Sequence, residues 1–310
     1  MATEHDCDNI HTLRWYGEPP CFTTAGNLFS NVKPCPETPA LEDVDLSGHV
    51  WVQELPTGPQ VRFQVAPSGL VTFATSQQSF DTITALPPQF RRAAETINER
   101  LDHAALEAAT DDPSDVTFCG IATRNEGLTY DWDSLPPFVG VDVYSGRKDQ
   151  FLSPDSATGA FTRLGIPTLP AVDKELNVAH ADFSRYENES GFPQSAWRDG
   201  HVAGVLIRDK SGGRALAWAE AFSSKPTSEA KSATELANEY ATEERITQTI
   251  ATLREEEDSV TVDTIRDRLI ADVTRESYTD LFSGGEFLAS LSAFHSAVAE
   301  RVQQHQSTSE

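Results

Sequence analysis

Alternating apolar and polar residues characterise the chain between residues 50 and 219. This period-two pattern predicts short β-strands, and Pro67-Ser-Gly69 predicts a turn that joins two of them into a hairpin. The predicted strands are 50–53, 61–65, 70–74, 116–121, 138–144, 202–208 and 214–219. One helical pattern, from Pro87 to Leu106, interrupts them. Because irregular stretches rather than crossover helices separate most strands, we predict an α+β domain with twisted, mainly antiparallel sheets.

The spacing of apolar residues becomes helical after Ser224. The clearest case is the last predicted helix, whose apolar face repeats at helical intervals through Phe287, Leu291, Phe294, Val298 and Val302. This change of period predicts four segments: an irregular, proline-rich N-terminal extension (1–44), the α+β domain (45–224), a helical domain (225–305) and a disordered tail (306–310).

Acidic residues outnumber basic ones two to one, with 48 Asp and Glu against 24 Lys and Arg and a formal charge of −24. The acidic residues are spread along the chain, and only six of the basic residues are lysines. This pattern favours adaptation to high salt, where screening removes self-repulsion, over a functional acidic surface. The chain has no apolar stretch of membrane-spanning length and no secretory leader, so we expect a cytoplasmic protein.

Metal-binding residues are clustered only near the N-terminus, where His5, Cys7, His11, Cys21 and Cys35 occur. Their spacings match no standard zinc pattern, and the chain has no Cys-x-x-Cys pair. Free thiols in a reducing compartment explain them more simply, so no metal site is predicted.

Six short strings occur in the order found in ATP-dependent RNA ligases. They are Gly48-His-Val-Trp-Val-Gln-Glu54-Leu-Pro-Thr-Gly58, Thr75-Ser-Gln-Gln, Phe118-Cys-Gly-Ile121, Phe138-Val-Gly-Val-Asp-Val-Tyr-Ser-Gly, Ala203-Gly-Val-Leu-Ile-Arg208 and Arg214-Ala-Leu-Ala. The chain therefore resembles this family of covalent nucleotidyltransferases, in a haloarchaeal type, over residues 45–305. The resemblance implies the nucleotidyltransferase fold, with ATP and Mg²⁺ as cofactors and RNA as substrate.

The polar residues that ligase chemistry needs are replaced at the matching positions. A lysine must attack the α-phosphate of ATP, and further cations must neutralise the departing pyrophosphate. The degenerate positions are Leu55 (the nucleophile), Thr57, Ser76, Ile121, Ala203 and Leu216 (a phosphate-binding lysine). The residues that could still shape a pocket are Gly58, Tyr130, Phe138, Asp142, Gly204 and Arg208. No catalytic residue, metal ligand or cofactor is therefore predicted.

Three interpretations stay open at this point. The favoured one is a ligase-like protein without adenylation activity, which acts as a binding or assembly module for RNA ends or for an active RNA ligase paralogue. The second is an active ligase with a displaced nucleophile, Lys210 or Lys148, in which case ATP and Mg²⁺ would bind. The third sets the resemblance aside and leaves a soluble α+β protein of other function.

Overall fold

Two antiparallel sheets form the first part of the protein. The computed structural model describes residues 32–219 and 231–309. The four-stranded sheet has the order β10-β9-β1-β8, and the six-stranded sheet has the order β4-β3-β2-β5-β6-β7. Their strands are β1 (His49–Leu55), β2 (Gln60–Val65), β3 (Val71–Ala74), β4 (Ser79–Phe80), β5 (Val116–Ala122), β6 (Phe138–Ser145), β7 (Gln150–Phe151), β8 (Ala171–Asn177), β9 (Gly204–Asp209) and β10 (Arg214–Trp218). Every strand pair in these sheets is antiparallel, so the predicted α+β class is confirmed.

Three helices cover the outer face of the six-stranded sheet. They are α1 (Pro88–Arg100), α2 (His103–Ala109) and α3 (Pro154–Arg163). The core beneath them is rich in phenylalanine: the Phe63 and Phe118 rings stack with centroids 4.7 Å apart, and Phe161 packs on Phe118 at 5.7 Å. Burial of these apolar side chains stabilises the contact of the helices with the sheet.

The structure corrects the predicted elements in two places. The helix predicted from Pro87 to Leu106 is two helices, because Asp102 accepts a hydrogen bond from the amide of Ala105 and caps a new helix there. Helix α3 and strand β8 were not predicted. Strand β8 lies at a sheet edge with exposed residues at its centre, so its sequence lacks the alternation of a half-buried strand.

The described C-terminal residues are mostly helical. The elements are α4 (Ala233–Tyr240), α5 (Glu243–Glu255), α6 (Val262–Glu276), α7 (Tyr278–Leu281), a short hairpin of β11 (Phe282–Ser283) and β12 (Glu286–Phe287), and α8 (Leu291–Ser309). Helix α8 continues to Ser309, so most of the predicted disordered tail (306–310) is helical. None of the described helices is long and apolar enough to cross a membrane. The predicted boundary at residue 224 and the residues before 32 lie outside the described ranges.

The helical part is joined to the sheet part by a buried arginine. The Arg275 guanidinium on α6 donates to the Thr123 hydroxyl at 3.1 Å and to the carbonyl of Leu135, and it lies 4.8 Å from the Trp132 ring. Arg92 on α1 adds an ion pair with Asp272 on α6 at 2.7 Å. These contacts fix α6 against α1 and the loop after β5.

Candidate functional site

The space between the two sheets is filled by apolar side chains. Leu55 ends β1, Ile121 lies on β5 and Leu216 lies on β10, and all three belong to one buried cluster. We call it the inter-sheet cluster; its other buried members are Tyr130, Leu135, Val139, Leu169, Trp197 and Leu206. Leu55 is fully buried. The position that resembles the ligase nucleophile therefore lies in an apolar environment.

Very little empty volume remains beside this cluster. A cavity of about 10 Å³ lies between the sheets, bordered by Leu55, Ile121, Asp142 and Arg214 among others. That volume is close to the minimum for one water molecule. No space for a nucleotide exists there, since small-molecule pockets measure about 300–1,000 Å³.

An N-terminal segment, residues 32–43, crosses the opening between the sheets, and we call it the strap. At one end the carbonyl of Val32 accepts a hydrogen bond from Arg62 of the six-stranded sheet at 3.3 Å. At the other end the carbonyl of Pro39 accepts one from the amide of Leu216 at 3.0 Å, in the four-stranded sheet. Between them Cys35 borders the small cavity. The strap thus covers the inter-sheet cluster from outside.

Asp142 organises the polar side of the small cavity. Its carboxylate pairs with Arg208 at 2.7 Å and with Arg214 at 2.9 Å, and the three side chains are almost wholly buried. Burial acts to raise the pKa of Asp142, but the two guanidinium groups outweigh it and lower that pKa. Arg208 also donates to the Val141 carbonyl at 2.8 Å, and Arg214 donates to the Thr38 hydroxyl of the strap at 2.7 Å. Both cations are therefore engaged inside the protein.

The loop after β1 has a fixed conformation. The Thr57 hydroxyl donates to the Arg124 carbonyl at 2.5 Å, and the Thr57 amide donates to the Tyr130 hydroxyl at 3.1 Å. Burial raises the pKa of Tyr130 to about 12. Gly58 has a φ of +142°, and a Cβ there would lie 2.1 Å from the Ala122 carbonyl oxygen. Only glycine fits this close approach.

The fold thus consists of two antiparallel sheets around a closed cleft, followed by helices. The fold is similar to that of ATP-dependent RNA ligases. The Naegleria gruberi RNA ligase with pyrophosphate matches with a TM-score of 0.48 and 16% identity, over 66% of this chain and 62% of that one. A variant of the same ligase with ATP and manganese gives a TM-score of 0.43 and 14% identity, over 57% of this chain and 51% of that one.

An archaeal ATP-dependent RNA ligase gives a TM-score of 0.41 and 16% identity, over 86% of this chain and 62% of that one. The chain thus spans between half and two thirds of the length of these solved structures. No family model matches the chain. No curated protein matches it either.

The remaining predicted positions are spread over different parts of the structure. Ala203 is buried one residue before β9 but lies outside the inter-sheet cluster. Gly204 begins β9, where a Cβ would lie 2.5 Å from the Trp218 ring. Phe138 belongs to the core under α1 and α3, with its ring 5.9 Å from that of Phe63. Ser76 is exposed after β3 and lines a different, much larger cavity.

The candidate displaced nucleophiles lie away from the inter-sheet cluster. Lys210 is half exposed and pairs with Glu175 at 2.8 Å, and Lys148 is exposed after β6. Four of the five N-terminal cysteine and histidine residues fall outside the described ranges. Within those ranges no group of three or more potential metal ligands occurs.

Sequence reasoning did not identify Arg214, Gln53 or Glu54 as site residues. Arg214 completes the ion pair with Asp142, and the Gln53 side-chain oxygen accepts a hydrogen bond from Arg208 at 3.1 Å. Glu54 accepts hydrogen bonds from the Ser195 hydroxyl at 2.5 Å and the Ala196 amide at 2.8 Å, while burial raises its pKa. The alternation within β1 and β10 marks these residues only as strand positions. Their partners lie on distant parts of the chain.

Proposed function

We propose that this protein is an RNA-ligase-like protein without adenylation chemistry, which acts as an RNA-binding module. The observation that carries the proposal is the inter-sheet cluster, in which Leu55, Ile121 and Leu216 fill the place that the resemblance assigns to ATP. Placing triphosphate oxygens against these apolar side chains would remove water from charged groups without replacing its hydrogen bonds.

Leu55 also lacks the nucleophilic nitrogen atom that adenylation needs. A lysyl-AMP intermediate forms when a lysine amine attacks the α-phosphorus, and leucine carries no nucleophile. Arg214, which borders the small cavity beside Leu55, and Arg208 already donate to Asp142 and to other protein oxygens. They are not available to stabilise departing pyrophosphate.

The resemblance implies two ligands, ATP and RNA, and RNA is the one that remains once ATP is excluded. The motif order implies an RNA-ligase ancestry, and fold and activity separate when site residues change. RNA ends are the proposed target. An active RNA ligase paralogue would be a partner rather than a substrate, and co-purification with such a paralogue in the absence of RNA binding would contradict the proposal.

The adenylation half of the proposal is tested with α-labelled ATP and Mg²⁺ or Mn²⁺ at high salt, with an active RNA ligase assayed in parallel. We expect no labelled protein band and no species at the intact mass plus AMP. A labelled band would overturn the proposal, and Lys210→Ala and Lys148→Ala would then identify the displaced nucleophile. The binding half is tested by the anisotropy of a labelled single-stranded oligoribonucleotide, for which the absence of saturable binding would be the contrary result.

A further inference from the structure

A large cavity lies where the sheet part meets the helical part, far larger than the residual space between the sheets. Its volume is about 800 Å³, and we call it the interdomain cavity. The loop at residues 75–78, the first turn of α1 and the β11–β12 hairpin form its walls. Ligand pockets occur preferentially at such domain junctions, and this volume is within their usual size range.

Aromatic rings supply the flat surfaces of the interdomain cavity. Phe90, Tyr278 and Phe287 line it and are only partly buried, so their rings keep accessible area. Tyr278 is held in place on two sides: its ring stacks on Phe282 with centroids 4.5 Å apart, and the Arg124 guanidinium lies 3.6 Å from its centroid. Because both faces of the Tyr278 ring are covered, stacking with a planar base falls to Phe90 and Phe287, which line the cavity and are only partly buried.

One polar atom in the wall lacks a partner within the described ranges. The side-chain oxygen of Gln89 is buried and accepts no hydrogen bond there. A buried acceptor without a donor costs about 1–3 kcal/mol in proteins generally, so a ligand N–H or O–H would recover that cost. Exocyclic amino and ring imino groups of nucleobases are donors of this kind.

The same wall offers positive charge in an acidic protein. Arg91 lines the interdomain cavity, and its Nε and Nη2 donate to the carbonyls of Leu86 at 3.1 Å and Thr84 at 3.2 Å. These two bonds orient the guanidinium, and its third nitrogen, Nη1, makes no hydrogen bond among the described residues. The first turn of α1 has no side-chain cap, but Pro88 carries no N–H and the Phe90 amide donates to the Pro87 carbonyl at 3.0 Å, so this turn adds few free amides.

We propose that the interdomain cavity binds one nucleotide of single-stranded RNA, with the base among the aromatic rings and beside Gln89, and a phosphate near Arg91. This assignment rests on the proposed RNA-binding function and adds its location. A free mononucleotide carries the same base and phosphate, so the test includes AMP as a separate arm.

The experiment measures the anisotropy of a single-stranded oligoribonucleotide labelled at its 3′ end, with full-length protein and the variants Gln89→Leu, Phe90→Leu and Arg91→Ala. We expect each variant to weaken binding about tenfold, the loss of roughly one hydrogen bond or one stacked base. Arg147→Ala and Phe151→Leu are the matched controls, because neither residue lines the cavity, and they should stay within about twofold of wild type.

Two further readouts separate a binding role from a structural one. Gln89→Leu removes an unpartnered buried acceptor, so its melting temperature should equal or exceed that of wild type while its RNA affinity falls. Because about one phosphate is contacted by Arg91, the slope of log affinity against log salt should be shallow, on the order of −0.7.

Each outcome bears on one of the two proposals. RNA that binds wild type and all three variants equally would overturn the interdomain assignment and leave the proposed function intact. RNA that does not bind wild type at all would overturn the proposed function itself. AMP that displaces the oligoribonucleotide at the same concentration as the unlabelled oligoribonucleotide would overturn single-stranded RNA as the ligand in favour of a mononucleotide.

Discussion

Replacing Leu55 with lysine restores the residue that ligase chemistry requires and tests whether the cleft between the sheets is closed. Leu55 is fully buried in the inter-sheet cluster, and the adjoining cavity has a volume of about 10 Å³. A lysine amine there has almost no water around it. Asp142, which borders the same small cavity, is already paired with two arginines. The amine is therefore expected to lose its proton on folding, because burial disfavours the charged form.

The cost follows from the pKa of the unfolded chain. A lysine with an unfolded pKa near 10.4 that must be neutral in the folded state costs about 4.6 kcal/mol at about pH 7 and about 1.9 kcal/mol at about pH 9. The unfolded state binds the extra proton, so the free energy of unfolding of Leu55→Lys rises with pH across this range, by about 1.4 kcal/mol per unit. Leu55→Met keeps the volume and should lose less than about 1.5 kcal/mol at any pH.

The assay is urea unfolding of wild type, Leu55→Met and Leu55→Lys at about pH 7 and pH 9, followed by circular dichroism in high salt. The difference between the two variants should fall by about 2.7 kcal/mol over this interval. Equal stability of the two variants at both pH values would refute the reasoning, because it would mean that the lysine reaches water in an open cleft. Leu55→Lys should also form no AMP adduct, since Thr57, Ile121 and Leu216 remain.

Three further predictions concern buried groups. Asp142→Asn should lower the free energy of unfolding by about 3–5 kcal/mol relative to the exposed control Asp111→Asn, because two buried arginines lose their counter-charge. In wild type the pKa of Asp142 is lowered, so this stabilisation is complete at pH values above the usual aspartate pKa and is lost in stronger acid. Burial raises the pKa of Cys119, so iodoacetamide at about pH 8 should leave it unmodified in the folded protein and alkylate it in urea, as read by peptide mass. Thr38→Val should speed proteolytic cleavage within the strap, because Arg214 loses its hydroxyl acceptor there.

Each of these has a clear contrary result. An Asp142→Asn protein as stable as the Asp111→Asn control would mean that the arginines find other partners. Alkylation of Cys119 in the folded protein at the rate seen in urea would mean that the strap opens readily. Unchanged cleavage in Thr38→Val would show that the backbone bond from Leu216 to Pro39 holds the strap without help.

The parts of the fold that could be predicted are those that bury one face of a regular element. Period-two alternation located β2, β3, β5 and β6, and helical spacing located α8, since burial imposes those periods on the sequence. Strand β8 was not predicted because its central residues are exposed and show no alternation of apolar and polar side chains. The extension of α8 beyond residue 305 was not predicted either, because a helical turn made of polar residues has the same composition as a disordered tail.

The candidate site depended on contacts between distant residues. The resemblance indicated Leu55, Ile121 and Leu216, and the structure places them in one cluster. The pairing of Asp142 with Arg214 joins residues 72 positions apart, and no local pattern specifies it. The interdomain cavity is formed by residues from several separate stretches of the chain, and the local sequence of each indicates only a loop, a strand end or a helix start.

The strap has a consequence for the order of events during synthesis. Its Thr38 leaves the ribosome early, whereas its partner Arg214 follows 176 residues later. At translation rates of about 5–20 residues per second, the strap waits roughly 9–35 s for β10 to be made. The four-stranded sheet waits as well, because its strand β1 pairs with β8 and β9. The nascent chain therefore exposes Leu55 and its neighbours for that interval, and closure of the cleft is among the last steps of folding in this part of the protein.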